Sequence, residues 1–246
     1  MASLRYRVPR RAICATLRAT CAASLAIAQA AYVHAGQPLV TDDAAIVADK
    51  TCQLEAWTRP SHDQHSYWLQ PACNFGANVE VSAGAARVEP DDDAASSLVY
   101  MQLKTVPFAR TESGWSFGAL AGAVRDTGAP HGSSAFQGYY AKAVASWYPR
   151  DDLEFDLNLG AANQYGTGTF ALAGAAVQLT VLDRLQLLAE VYRDEPGTAK
   201  YQAGVRWIAV PNRLEAFVSY GNRFTRAADQ WIVTTGVRLQ SPAFLP

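Results

Sequence analysis

Beyond about residue 50, hydrophobic and polar residues alternate with a period of two, the spacing that puts successive side chains on opposite faces of a β-strand. Four times a tight turn is followed by a variant of one phrase: Asn78-Val-Glu-Val-Ser-Ala-Gly, Asp152-Leu-Glu-Phe-Asp-Leu-Asn-Leu-Gly, Arg184-Leu-Gln-Leu-Leu-Ala-Glu-Val-Tyr and Arg213-Leu-Glu-Ala-Phe-Val-Ser-Tyr-Gly. The last three recur roughly every 30 residues, the length of a hairpin with both its connections. Each copy has one apolar face and one carrying Glu, Gln, Asp, Asn or Ser. A soluble sheet hides its apolar face under a second layer, whereas a membrane barrel turns that face to lipid and keeps the polar face inside.

Turn signals divide this region into twelve strands, near 51–58, 65–74, 78–87, 96–107, 114–125, 136–148, 152–161, 168–180, 184–193, 199–209, 213–222 and 230–241. Their connections alternate in character. Phe75–Asn78, Pro149–Asp152, Leu182–Arg184 and Pro211–Arg213 are terse, and Phe108–Ser113 is the long member of that set. Glu89–Ala95, Asp126–Ser134, Gln164–Gly168, Asp194–Gly197 and Phe224–Asp229 are longer and more polar. Short turns at one end and long loops at the other predict an all-β fold: one antiparallel outer-membrane barrel of about twelve strands, terse end in the periplasm. Trp147 and Trp207, on lipid parity just before terse turns, suit an interfacial aromatic girdle. The last strand is followed by Phe244, close to the terminal aromatic expected of barrels inserted by the outer-membrane assembly machinery. The alternative is a large exported β-sandwich.

The start of the chain is different. Arg5, Arg7, Arg10 and Arg11 precede a short run of small apolar residues, Ala19–Ala28, and an A-x-A site at Ala28-Gln29-Ala30. This reads as a secretory signal peptide over 1–30, cleaved after Ala30, or after Ala35 at the second-choice site. No stretch reaches the 18 apolar residues of a membrane helix. Residues 31–50 form a lead-in or plug, and 51–246 the barrel. The net charge of -1 excludes a basic nucleic-acid surface. A mean hydropathy of -0.06 with half the residues hydrophobic matches apolar positions diluted one-to-one by polar ones.

After cleavage, Cys52 and Cys73 remain, flanking the connection Arg59–Gln64, and in an oxidising compartment they predict a disulfide across a hairpin. Parity then sorts the inward charges. Odd-numbered strands carry Glu55, Glu80, Glu154 with Asp156, Glu190 and Glu215; even-numbered strands carry Lys104, Lys142, Arg206 and Arg238. Arg206 is diagonal to Glu215, and Arg238 can meet Glu55 where the barrel closes. The belt is either a constriction that orients a passing solute or a salt-bridge network that fills the lumen.

No chemistry-bearing motif accompanies it. His34, His62, His65 and His131 share no strand with a plausible nucleophile, and no zinc spacing, phosphate loop or dinucleotide fingerprint is present. His62, Asp63 and His65, like Asp91-Asp92-Asp93, read as solvated loops. The expectation is a non-enzyme without metal or cofactor. Its partners would be outer-membrane lipid, lipopolysaccharide, the assembly machinery and a small solute.

Pro38-Leu-Val-Thr-Asp-Asp-Ala44, followed by Cys52-Gln-Leu-Glu-Ala-Trp57, resembles the opening of a proteobacterial family of exported barrels named for the MetA pathway of phenol degradation, or simply as transporters. Pro38, Leu39, Thr41, Asp42, Asp43, Ala44, Gln53, Leu54 and Glu55 carry the likeness. It implies uptake of aromatic or other hydrophobic compounds, so the expected function is passive passage of small solutes of that kind. The alternative is a sealed structural or adhesive barrel. Charge complementarity places Gly36–Lys50 in the periplasmic mouth, with Asp42 and Asp43 against Lys104 or Arg206.

Overall fold

In the computed structural model the described residues are 38–76, 78–109, 114–128, 135–197, 199–224 and 230–244. The signal peptide and its cleavage sites, His34 and His131 lie outside them. Twelve strands follow one another: β1 (Cys52–Thr58), β2 (Gln64–Asn74), β3 (Val79–Pro90), β4 (Ser96–Phe108), β5 (Trp115–Asp126), β6 (Gly138–Arg150), β7 (Leu153–Gln164), β8 (Gly168–Leu182), β9 (Leu185–Arg193), β10 (Lys200–Val210), β11 (Leu214–Arg223) and β12 (Ile232–Gln240). Each pairs antiparallel with its neighbours in sequence, and β1 pairs with β12, so the sheet is a closed barrel. Closure runs from Gln53 opposite Gln240 to Thr58 opposite Thr235. A closed ladder leaves no unpaired edge, which is what lets a sheet cross a bilayer.

Accessibility alternates along the strands with the sequence pattern. In β3 Val81, Ala83 and Ala85 are exposed while Glu80, Ser82 and Gly84 are buried. The wall is therefore inverted relative to a soluble protein. Leu69, Met101, Leu103, Leu157, Leu159 and Tyr220 are each about half exposed or more, an apolar band suited to lipid. Near the terse end, Phe117, Trp115, Trp147 and Phe155 stack in a row across β5, β6 and β7, with successive centroids 5.6 to 5.7 Å apart. The terse turns close tightly because Asn78 and Asn212 adopt left-handed φ of 55° and 56°, a conformation that asparagine tolerates better than most residues. The protein is an outer-membrane β-barrel in architecture and in the chemistry of its outer wall.

Cys52 and Cys73 face each other in register on β1 and β2 and form the disulfide. The bridge sits at the terse end, where the chain first joins the barrel.

Candidate functional site

The lumen contains the chain's own N-terminal segment. Residues 38–51 have no regular structure, and Pro38–Asp42, Ala44 and Val47 are buried. A chain without ladder partners must satisfy its backbone elsewhere, and here inward side chains of the wall do so. Val47 N–H donates to Glu80 Oε2 at 2.9 Å, and Asn74 Nδ2 donates to Val47 O at 2.8 Å. Ala44 N–H donates to Ser146 Oγ at 2.7 Å. Asp42 exchanges two hydrogen bonds of 2.7 Å with the Asn158 carboxamide. Glu190 accepts from Val40 N–H at 2.8 Å and Thr41 N–H at 2.7 Å, and Gln202 Nε2 donates to Pro38 O at 2.6 Å. The segment thus crosses the lumen from β3 and β4 to β9 and β10.

Two ion pairs hold its acids. Asp43 meets Lys104 Nζ at 2.9 Å on β4, and Asp42 meets Lys142 Nζ on β6. Burial raises the pKa of Asp42 despite the pull of Lys142 and Lys104. Burial pushes Asp43 the same way, but Lys104, Arg238 and the Ala45 N–H together outweigh it and hold that carboxyl below its ordinary value. Arg206, the other cation expected to meet these acids, is attracted by Asp43 as well as by Glu215. It sits on β10 and meets Glu215 at 3.6 Å, with Gln178 and Gln186 each at 3.1 Å.

The remaining belt residues sort by strand. Arg238 on β12 bridges Glu55 on β1 at 2.7 Å and Glu215 on β11 at 3.2 Å, directly across the closure seam. Asp156 accepts from Ser146 Oγ at 2.5 Å and from Gln178 Nε2 at 2.9 Å, one turn of side chains from Glu154 on the same strand. Glu190 gives both carboxylate oxygens and Glu80 gives Oε2 to the segment's backbone. The belt is therefore not a ring of alternating pairs; two of its six acids, Glu80 and Glu190, serve the segment.

Above the belt the lumen changes character. Trp57, Trp68, Tyr100, Tyr140, Phe170, Leu172 and Phe217 belong to one buried cluster that also includes Ala44. Trp57 and Trp68 stack with centroids 5.5 Å apart and rings 1° from parallel. A second charge group at the long-loop end was missed by strand parity. Lys200 binds Asp194 at 3.0 Å and Glu195 at 2.9 Å, and Arg223 binds Glu195 at 2.8 Å. Asp194 and Glu195 read as loop residues in sequence, and only the folded turn carries them inward.

The conserved-family model described as "Uncharacterised conserved protein UCP029691" matches residues 22–240, nearly the whole barrel and its lead-in. The chain belongs to this family. It is this family, rather than the phenol-pathway barrels that the N-terminal motif resembles, that the match shows. No curated protein matches the chain. Among solved structures, the KdgM porin aligns with a TM-score of 0.61 at 13% identity, over 76% of this chain and 98% of the other. The KdgM porin in complex with disordered oligogalacturonate aligns at 0.60 and 12%, over 76% and 98%. The NanC porin aligns at 0.54 and 11%, over the same shares. At such identities the likeness is one of fold: this family member is a porin-like barrel of twelve strands.

Proposed function

We propose that the protein lets small amphipathic solutes pass the outer membrane passively, and that the N-terminal segment is a resident plug controlling that passage. The observation that carries this reading is how the lumen is filled. A barrel sealed by its own wall needs no inserted chain. Here small inward residues make room for one: a Cβ at Gly174 would lie 2.4 Å from Thr41 Oγ1. The plug is held by hydrogen bonds and two ion pairs to wall side chains, all of which water or a solute can replace. The aromatic cluster above a polar belt supports solutes with an apolar face, in keeping with the hydrophobic or aromatic compounds that the N-terminal resemblance suggests. On this reading the other partners are the assembly machinery during insertion and lipopolysaccharide at the outer rim.

A second reading, a sealed structural barrel, is favoured by the Glu55–Arg238–Glu215 bridge, which neutralises charge across the closure seam. Planar-bilayer conductance separates the two. The mature chain should show rare or small current steps, and a chain lacking residues 38–48 frequent and larger ones. An inserted deletion variant that stays silent would establish the sealed barrel instead.

A further inference from the structure

Just inside the terse end, between the plug and the wall, lies a cavity of about 170 Å³. At about 30 Å³ per water it has room for five or six waters, or one solute of monosaccharide size. Its wall includes four carboxamides, Gln53, Gln70, Gln102 and Gln240, together with Glu80 and Lys104. Gln70, Gln102 and Lys104 are each only 6% exposed.

Two of the amides are fixed from behind. Tyr100 OH donates to Gln70 Oε1, and Tyr140 OH donates to Gln102 Oε1 at 3.0 Å. Each phenol occupies the amide oxygen, so the Nε2 hydrogens are the groups left to the cavity, and neither donates to another described residue. Gln53 and Gln240 are register partners across the closure seam, and their side chains make no hydrogen bond among the described residues. Lys104 gives one hydrogen to Asp43. Glu80 commits Oε2 to Val47 and keeps Oε1. Buried polar groups are ordinarily paired, so this concentration of uncommitted donors and acceptors around one space points to a polar occupant.

Charge narrows its class. Asp42, Asp43 and Glu80 line the cavity against Lys104 and Arg238, and Arg238 is already bridged to Glu55 and Glu215. An anion would meet the surplus of carboxylates, and a cation would meet the amide hydrogens. Neutral hydroxyls, which donate and accept, match both sets. Trp68 lies two residues along β2 from Gln70, with Trp57 stacked on it, so a flat apolar surface adjoins the amides. We infer that this cavity binds a neutral polyhydroxylated solute of monosaccharide size. The inference rests on the passage reading and replaces the hydrophobic or aromatic solutes of the N-terminal resemblance with a hydroxyl-rich class that would wait beside the plug.

The test uses the folded mature chain in detergent, titrated with D-glucose and followed by tryptophan fluorescence and saturation-transfer NMR. D-glucuronate, ethanolamine and phenol are titrated in parallel. Saturable glucose binding is expected, weakened about fivefold for each hydrogen bond lost in Gln102→Leu and Gln70→Leu. Gln53→Leu, at the half-buried rim, guards against misfolding of the deeper variants and should weaken binding to a similar degree. Absent glucose binding, tighter binding of any of the other three probes, or affinity unchanged in all three variants would overturn the inference. Glucose binding without bilayer current would remove the passage reading and leave the site, and current without glucose binding would do the reverse.

Discussion

Glu190 places both carboxylate oxygens on one stretch of backbone, and neither goes to a cation. Hydrogen bonds to a charged acceptor are each worth roughly 1.5–3 kcal/mol, and removing the acceptor leaves the donors buried and unmet. Glu190→Leu should therefore unseat Val40 and Thr41 while the barrel ladder stays intact. Limited proteolysis would show faster cleavage within residues 38–50 at unchanged heat resistance; cleavage at the wild-type rate would show that the clasp is dispensable. Lys142 is the complementary case. Its loss in Lys142→Met leaves the Asp42 carboxylate unpaired at 2% exposure, a change that costs about 3–5 kcal/mol for buried pairs. Adding Asp42→Leu should recover most of that loss in a double-mutant cycle, whereas additive effects would mean the pair is not coupled. Parity is a local property, so it says which side chains of a strand share a face. It did not identify partners, which depend on depth and on which wall the plug follows. Arg206 shows this: it shares β10 with Gln202, which holds Pro38, yet its own contacts include Glu215, Gln178 and Gln186 of the wall.

At the level of elements, all twelve strands were legible, since each carries its own alternation and is bounded by turn residues. The plug was legible only as a motif with two acids. Its path has no periodicity to read, and its conformation is set by side chains from seven different strands. The connection that ties plug to barrel is more local. Thr51 O accepts from Asn74 N–H at 3.0 Å, just beyond the Cys52–Cys73 bridge. A disulfide closing a loop of 21 residues should stabilise by roughly 3 kcal/mol in the chain-entropy model. The double variant Cys52→Ala, Cys73→Ala should lose about that much in urea titration yet keep its barrel, because β1 is paired on its other side by β12. A larger loss, with the β-signature in circular dichroism collapsing, would mean that the bridge fixes the register of the whole seam.

The whole molecule has two faces, an outer wall and a lumen, and they obey opposite rules. Around the outside, lipid replaces the second layer that a sandwich would need, so apolar side chains stand exposed on every strand. Leu159 is 70% exposed in the middle of β7, on the face opposite the buried Asn158. Leu159→Arg should cost roughly 2–4 kcal/mol in a bilayer if it lies near the midplane. Folding into vesicles would report that penalty, and a cost near zero would argue against a membrane-facing wall. The lumen answers to a different test. Twelve antiparallel pairings close the barrel without a single contribution from residues 38–50, so the plug is cargo of the fold rather than a member of it. Removing residues 38–48 should leave the heat-resistant folded form on electrophoresis while exposing Glu80, Ser146, Asn158 and Glu190 to solvent. Those four groups would exchange backbone partners for water at little net change, since both states are hydrogen-bonded. A deletion that instead abolished the folded form would make the segment part of the core, and the barrel a solid one whose lumen was never meant to empty.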